Sequence, residues 1–491
     1  MINFSPWLPD IADFQTNASS DVLNVVPSST GFKPFMGFAA VTSAITSRPQ
    51  GAATFRSVAG TIYNFCGDAT KLYKMASNGL SWLDVTRTVG GAYGTAIDGW
   101  WDFSQFGDYV VATNNVDAVQ VFQMDVSSNF SALGGTPPVS AFTTIIRDFS
   151  VLARQSTANN KVKWSAINNV SDWVTSSTTM SDSQTFPDGG SIMGIVGGEY
   201  GIVFLERAIY RMSFEGPPTV FRFDKISTVL GCRAERSIAS YENLVFFLSD
   251  NGFQMVQGGS TIVPIGAEKN DATFEAFVNS SYTYRISSAI DPVLKLYLVG
   301  FPSINSGSGS PDTIYAYHWP TGQWSKISTN HDIIYVAASQ ASYTIDGMDA
   351  VSATIDGLIY PVDSRFWSGS GRLSLAAFDT SHQQGFFSGA ALAATVETGD
   401  TQLTVGKKSM LRGLRPMIEG SMVTPTVTIR SRDRLQDALN DAVSVAANSN
   451  GYCPVRVNAR YHRARVDIPA GSMWNFAVGI DDLKYSEMGA R

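Results

Sequence analysis

Short apolar or alternating runs, each bounded by turn residues, set the pattern of this chain. They include Asp108-Tyr109-Val110-Val111-Ala112-Thr113, Phe149-Ser150-Val151-Leu152-Ala153, Gly201-Ile202-Val203-Phe204-Leu205, Leu244-Val245-Phe246-Phe247-Leu248 and Leu294-Lys295-Leu296-Tyr297-Leu298-Val299. Runs of this length, rich in β-branched and aromatic residues, predict strands, here the inner strands of successive sheets. A second recurring unit sets glycine in a turn before a large apolar residue: Asn78-Gly79-Leu80-Ser81-Trp82, Asn251-Gly252-Phe253-Gln254-Met255, Thr321-Gly322-Gln323-Trp324 and Asp356-Gly357-Leu358-Ile359-Tyr360. Each predicts a hairpin turn entering a strand. Anchored on the residues before each run, units begin near Ala52, Gly99, Ala141, Gly189, Ala234, Tyr284 and Asp332, 42 to 50 residues apart. That period is the one propeller blades show, and it predicts seven four-stranded units, with six as the alternative count.

The pattern changes at both ends. Residues 1–50 carry no blade signal, and the proline-bracketed Phe4-Ser5-Pro6-Trp7-Leu8-Pro9 predicts an extended segment docked on the body or on a partner. Residues 389–491 read as separate β structure, through Ala393–Thr398, Thr426–Ile429, Val455–Ala459 and Arg465–Ile468. Within them Leu435, Ala438, Leu439, Ala442 and Val443 have helical spacing, while Ser444–Asn450 fits an extended strand and loop equally well. The apolar parity flips between Val455/Val457/Ala459 and Ala464/Val466/Ile468, which predicts a turn or bulge near Tyr461–Arg463. The expected fold is all-β, with a β-propeller over 51–388 followed by a C-terminal β-sandwich-like domain over 389–491.

Composition agrees with this class. Gly 43 and Pro 20 punctuate a chain of 491 residues that is 44% hydrophobic and 16% charged, which excludes a disordered protein. The net charge of −7 excludes wholesale adhesion to nucleic acid, so any DNA contact must be local or non-adhesive. Charge is nevertheless segregated. Between Lys407 and Arg465 stand eleven basic residues against four acidic ones, leaving the rest of the chain with fourteen surplus acidic charges. On a strand Arg430 and Arg432 share a face, as do Arg456 and Arg460, so these arginines are either a docking surface or ordinary paired, solvated positions.

Candidate chemistry is sparse. Cys66, Cys232 and Cys453 are far apart and odd in number, against a disulfide framework, and His318, His331, His382 and His462 lack metal-ligand spacing. The N-terminus lacks the features of a signal peptide, and Ile192–Leu205 is too short and too interrupted to span a bilayer. No Gly-x-Ser-x-Gly, Walker or His-Glu-x-x-His string occurs. Ser249-Asp250-Asn251-Gly252-Phe253 approaches the sialidase box but sets Asp and Gly one position early, and Asp188, Glu199, Glu206 and Asp291 have no spacing that pairs them as acid and base. The glycine-rich stretch from Asp188 to Gly201 superficially suggests a phosphate cradle. Flanked by strands, its glycines instead predict a bulge or a close backbone approach.

Several stretches together resemble a known family: Phe4–Asp10 leading to Asn24-Val25-Val26-Pro27 and Gly31-Phe32-Lys33-Pro34-Phe35, Thr70–Tyr73 with Trp82–Thr86, Gly197–Gly201, Glu215-Gly216-Pro217-Pro218, Ser249–Phe253, and Arg460–Arg465 with Ile468-Pro469-Ala470-Gly471. The pattern is similar to that of nozzle, or packaged-DNA stabilisation, proteins of short-tailed bacteriophages. The resemblance implies a β-propeller in a homo-oligomeric, hexameric ring in the virion tail, assembled in the host cytoplasm and attached to the tail adaptor and other tail proteins. It also implies DNA passing through the lumen without sequence-specific binding, no enzymatic activity and no cofactor. The candidate assembly residues are Phe4, Trp7, Leu8, Arg430, Arg432, Arg456 and Arg460. The alternative from another class is a carbohydrate-binding or carbohydrate-cleaving propeller.

Overall fold

A computed structural model describes residues 1–12, 18–338, 352, 354–358, 362, 373–421 and 423–489. Seven four-stranded antiparallel sheets follow one another among these residues. Blade 1 is Ala52–Arg56, Ile62–Gly67, Leu72–Met75 and Trp82–Asp84, and blade 2 is Asp102–Phe106, Tyr109–Thr113, Gln120–Gln123 and Ser131–Ala132. Blade 3 (Ser140–Ile146 to Asp182–Thr185), blade 4 (Ile192–Val196 to Val220–Ser227), blade 5 (Ala239–Tyr241 to Thr261–Pro264) and blade 6 (Ser287–Asp291 to Gln323–Ser328) repeat the same meander. Blade 7 differs. Its first three strands are Ile333–Ala338, Leu373–Phe378 and Gln384–Ala391, and its outermost strand, Met36–Ala40, comes from the other end of the chain. The ring is thus an all-β propeller of seven blades, closed by the N-terminal region.

The apolar runs are the second strands of their blades, each preceded by the first strand on which its unit was anchored. Both faces of a second strand are covered by neighbouring blades, which is why most of its positions are apolar and buried. In blade 4, Val203 and Leu205 pack with Val151 and Ala153 of blade 3, while Ile202 and Phe204 pack with Val245 and Phe247 of blade 5. Each side chain so buried contributes roughly 1.5–3 kcal/mol. The glycine turns fall where the pattern put them: Gly79, Gly252 and Gly322 adopt φ of 67°, 88° and 67°. Asp356-Gly357 is the exception, lying in the short 3-10 turn Ile355–Gly357 with no following strand described, and Ile359 and Tyr360 lie outside the described residues. In the glycine-rich stretch, a Cβ on Gly197 would stand 2.1 Å from the Ile145 carbonyl oxygen. Gly198 in turn exchanges backbone hydrogen bonds with Ile145 and Arg147. These glycines let blade 4 approach the edge of blade 3.

Two six-stranded sheets form a sandwich beside the propeller. One runs Val25–Ser28, Gly31–Pro34, Met473–Glu487, Ser409–Ser421, Val457–Ala459, with Ile2–Asn3 also on Met473–Glu487. The other runs Asp21–Leu23, Ala394–Glu397, Tyr461–Ile468, Thr426–Arg432, Asn440–Asp441, with Val445–Ala446 also on Thr426–Arg432. Residues 389–491 therefore share both sheets with strands from residues 2–34. The parity flip is explained by a bend at Arg460, one residue before the expected stretch. There the chain leaves one sheet and joins the other, so each half turns its apolar positions into the same core from opposite sides. The helical reading of Leu435–Val443 is overturned. That stretch is a turn followed by edge strand, with Leu435 38% and Val443 85% exposed, because the spacing has no core to face.

The N-terminal segment ties the two bodies together. Trp7 stands edge-on to Tyr315 of blade 6 at 5.4 Å between ring centroids, and one apolar cluster joins Phe4, Trp7, Val22 and Phe32 to Phe253, Tyr315 and Trp324 of blades 5 and 6 and to Val427 and Val466 of the sandwich. Asn24, at φ 58°, donates from Nδ2 to the Ala393 carbonyl, and its Oδ1 accepts the Ser328 amide, each at 2.8 Å. A short polar side chain is what that left-handed position tolerates. Asp10 accepts the Ala272 and Thr273 amides at 2.8 Å, capping the helix Asp271–Phe277 between blades 5 and 6.

Candidate assembly surface and the propeller axis

Linkers leading into the first strands are joined to one another across the propeller axis. Arg236, before blade 5, reaches across the ring to Asp102 of blade 2 at 2.7 Å, with its guanidinium over Trp100 and Phe142 at 5.5 and 5.6 Å from the ring centroids. Asp102 also accepts the Thr143 amide at 2.8 Å, and Arg154 of blade 3 pairs with Glu235. Trp100 donates through Nε1 to the Tyr284 carbonyl at 2.8 Å, a second link across the ring, to the linker before blade 6. Nearby Asp332, 3% exposed, is held by Arg285 at 2.8 Å and His382 at 2.6 Å, and burial pushes its carboxyl above the usual range despite both partners. Cavities of 320 and 170 Å³ remain around the Arg236–Asp102 pair. Only the larger reaches the low end of the roughly 300–1,000 Å³ range of small-molecule sites. The Arg236–Asp102 and Trp100–Tyr284 contacts lie across this axis.

The structure distributes the seven candidate assembly residues unevenly. Phe4 and Trp7 are 6% and 2% exposed and Leu8 is half-buried, so the apolar N-terminal residues are spent on intramolecular docking and the first two are withdrawn from any surface. Arg430 and Arg432 share a face as expected, but that face is an internal charge cluster. Arg430 binds Glu397 at 3.2 Å and Asp441 at 2.8 Å, Arg432 binds Asp400, and Arg463 binds Asp400 at 2.8 Å. The Glu397 and Asp400 side chains are 1% and 0% exposed. Burial works to raise the Asp400 carboxyl, yet hydrogen bonds from Arg463 and Arg432 outweigh it and hold it below the ordinary range. Arg460, half-buried at the bend, lies over Tyr461 at 5.9 Å. Of the four arginines singled out, Arg456 is the exposed one.

Arg456 rims a groove that sequence reasoning missed. Its walls are Met410, Ala442, Val443, Val445, Pro454 and Val455, with Arg412 as the second rim cation, and it encloses 680 Å³. Two sheet edges meet here, Val457–Ala459 ending one sheet and Asn440–Asp441 with Val445–Ala446 fringing the other. The strand periodicity of Val455 and Val457 is visible in the sequence, but the helical spacing of Ala442 and Val443 on the partner wall hides the groove.

Among the described residues no group of three or more His, Cys, Asp and Glu side chains is placed to hold a metal ion, and no helix is long and apolar enough to cross a membrane. The three cysteines are buried and unbridged. No family model matches the sequence, and no curated protein matches it either. Among solved structures, the extracellular domain of the BT4673 one-component system of B. thetaiotaomicron is 11% identical with a TM-score of 0.42, the match covering 81% of this chain and 44% of that one. This chain thus spans less than half the length of that protein. BamB from Moraxella catarrhalis is 10% identical with a TM-score of 0.36, over 74% of this chain and 92% of that one. YCF48 bound to D1 peptide is 9% identical with a TM-score of 0.36, over 61% and 87%.

Proposed function

We propose that the chain is a structural subunit of a short-tailed phage tail, an oligomeric nozzle below the portal and adaptor that retains packaged DNA and conducts it during ejection. It acts by assembly and shape, without catalysis or cofactor. The observation that carries this reading is charge segregation: a sandwich edge with exposed arginines on a chain that is otherwise acidic. Such a molecule associates with copies of itself through unlike faces. The side-chain contacts across the propeller axis support a passage formed between subunits instead of within one. Acidic propeller surfaces facing that passage would repel phosphates and avoid the counterion-release affinity that would trap DNA.

The test is made on particles. Virions purified from the producing lysate should contain the protein in stoichiometric, multi-copy amounts by quantitative mass spectrometry, and a knock-out should yield heads that package DNA and then lose it. Absence from purified particles, together with turnover of a polysaccharide by the monomer, would sink this reading and favour the carbohydrate-directed propeller.

A further inference from the structure

The groove between Arg412 and Arg456 has the chemistry of a strand-accepting site. Its lining is largely apolar, with Val455 buried and Val443, at its lip, 85% exposed. Val457–Ala459 is the last strand of one sheet, and Asn440–Asp441 with Val445–Ala446 are the outermost of the other, so both sheets end at this groove. Extended segments that add to such edges gain main-chain hydrogen bonds, and pockets for alternate side chains supply selectivity. Arg412 and Arg456 make no ion pair among the described residues. They fix the sign of the guest: acidic residues beside apolar ones.

We infer that this groove receives an acidic, extended edge segment from a neighbouring copy of the same chain, in a head-to-tail contact. The second copy is favoured by charge complementarity, since everything outside 407–465 carries the fourteen-charge acidic surplus. A contact of the groove with itself would bring four arginines together and is disfavoured. The contact is therefore heterologous, the kind that closes into rings when its rotation permits. This rests on the assembly reading above, and it names the surface through which assembly occurs.

The test compares the parent with Arg412→Glu/Arg456→Glu and, separately, with Val443→Asp, all sites exposed enough to leave folding intact. Light scattering over a concentration series should show the parent forming oligomers that weaken at high salt, because exposed charge attraction is screened. Both variants should lose association by about tenfold or more while keeping the parent's thermal unfolding. Oligomers of unchanged affinity in both variants would overturn the groove as the interface. A parent that stays monomeric at every concentration would overturn the second copy as its occupant, and the tail reading would then stand or fall on the virion experiment alone. Loss of oligomers in the variants of a protein absent from virions would uphold the groove and remove the tail reading.

Discussion

The propeller and the sandwich are both antiparallel β structure, yet they are assembled by opposite rules. In blades 1 to 6 each strand pairs with its neighbour in sequence, and long-range polar links such as Arg236–Asp102 join blades without adding strands to them. In the sandwich Asp21–Leu23 pairs with Ala394–Glu397, Ile2–Asn3 pairs with Met473–Glu487, and the interior holds the Glu397–Asp400–Arg430–Arg432–Arg463 charge cluster. Local pairing makes a body that closes blade by blade. Pairing across the whole chain makes one whose stability depends on its far end and on its buried ions.

The largest test of that contrast is truncation. Removing residues 1–34 takes strands from both sandwich sheets but leaves Met36–Ala40 in blade 7. Hydrogen exchange should then show amides in 394–397, 426–432 and 461–468 losing protection, while blades 1 to 4 keep theirs. Retained protection in those sandwich strands would mean that the C-terminal residues fold alone, and the contrast would fail.

Next in size is Asp400→Asn. It keeps the shape but removes the carboxylate that Arg432 and Arg463 share, leaving Arg463 with Glu397 at 3.6 Å, so the loss should lie toward the low end of the about 3–5 kcal/mol for a broken buried pair. Urea unfolding should show this loss near neutral pH. Because the folded-state Asp400 carboxyl is held below its ordinary 3.8, its contribution is present above that value and is lost as pH falls through the folded one. The variant's deficit should accordingly shrink in acid. A deficit that is constant with pH would assign it to packing.

A smaller loss is expected in the propeller from Arg236→Met. Its ion pair with Asp102 is 20% exposed on both sides, and the methionine can keep part of the contact with Trp100 and Phe142. The cost should be about 1–3 kcal/mol by chemical denaturation. No change would mean that the cross-axis pair spans the ring without stabilising it.

How far the two bodies could be read from sequence follows from the same difference. Blade starts near Ala52, Ala141 and Asp332 fell on or beside the first strands at Ala52, Ser140 and Ile333, because local hairpins leave a period in the sequence. The outermost strand of blade 7 left no such trace, since Met36–Ala40 pairs with Gln384–Ala391 and nothing near either segment encodes the other. In the sandwich, Val455–Ala459 and Arg465–Ile468 were visible as strands, but the sheet switch at Arg460 showed only as a parity flip. For the candidate surface, arginine density was legible and pairing was not. Arg430 and Arg432 are neutralised by Glu397 and Asp400, which are 33 and 32 residues away. Arg456 owes its exposure to an edge that only the tertiary pairing defines.

The smallest effect separates the two bodies by sign. Asp271 opens the helix Asp271–Phe277, where its Oδ1 accepts the Phe253 amide at 3.0 Å. Burial pushes its carboxyl up to about 6, and the nearby Asp10 and Glu275 add to this against the Phe253 hydrogen bond and Lys269. A carboxyl whose pKa is raised by folding favours the folded state most in acid, and that advantage is lost as pH climbs from the unfolded value, 3.8, to about 6. This is the reverse of Asp400, which stabilises only after it ionises. Asp271→Asn removes the buried charge and keeps an oxygen for the Phe253 amide. Because the site is only half-buried, solvent screening limits the gain to on the order of 1 kcal/mol. Thermal unfolding should therefore show the variant above the parent at neutral pH and level with it below pH 3.8. A variant less stable than the parent at neutral pH would show that the charged carboxylate is needed where it stands, with the Phe253 amide and Lys269 outweighing its burial.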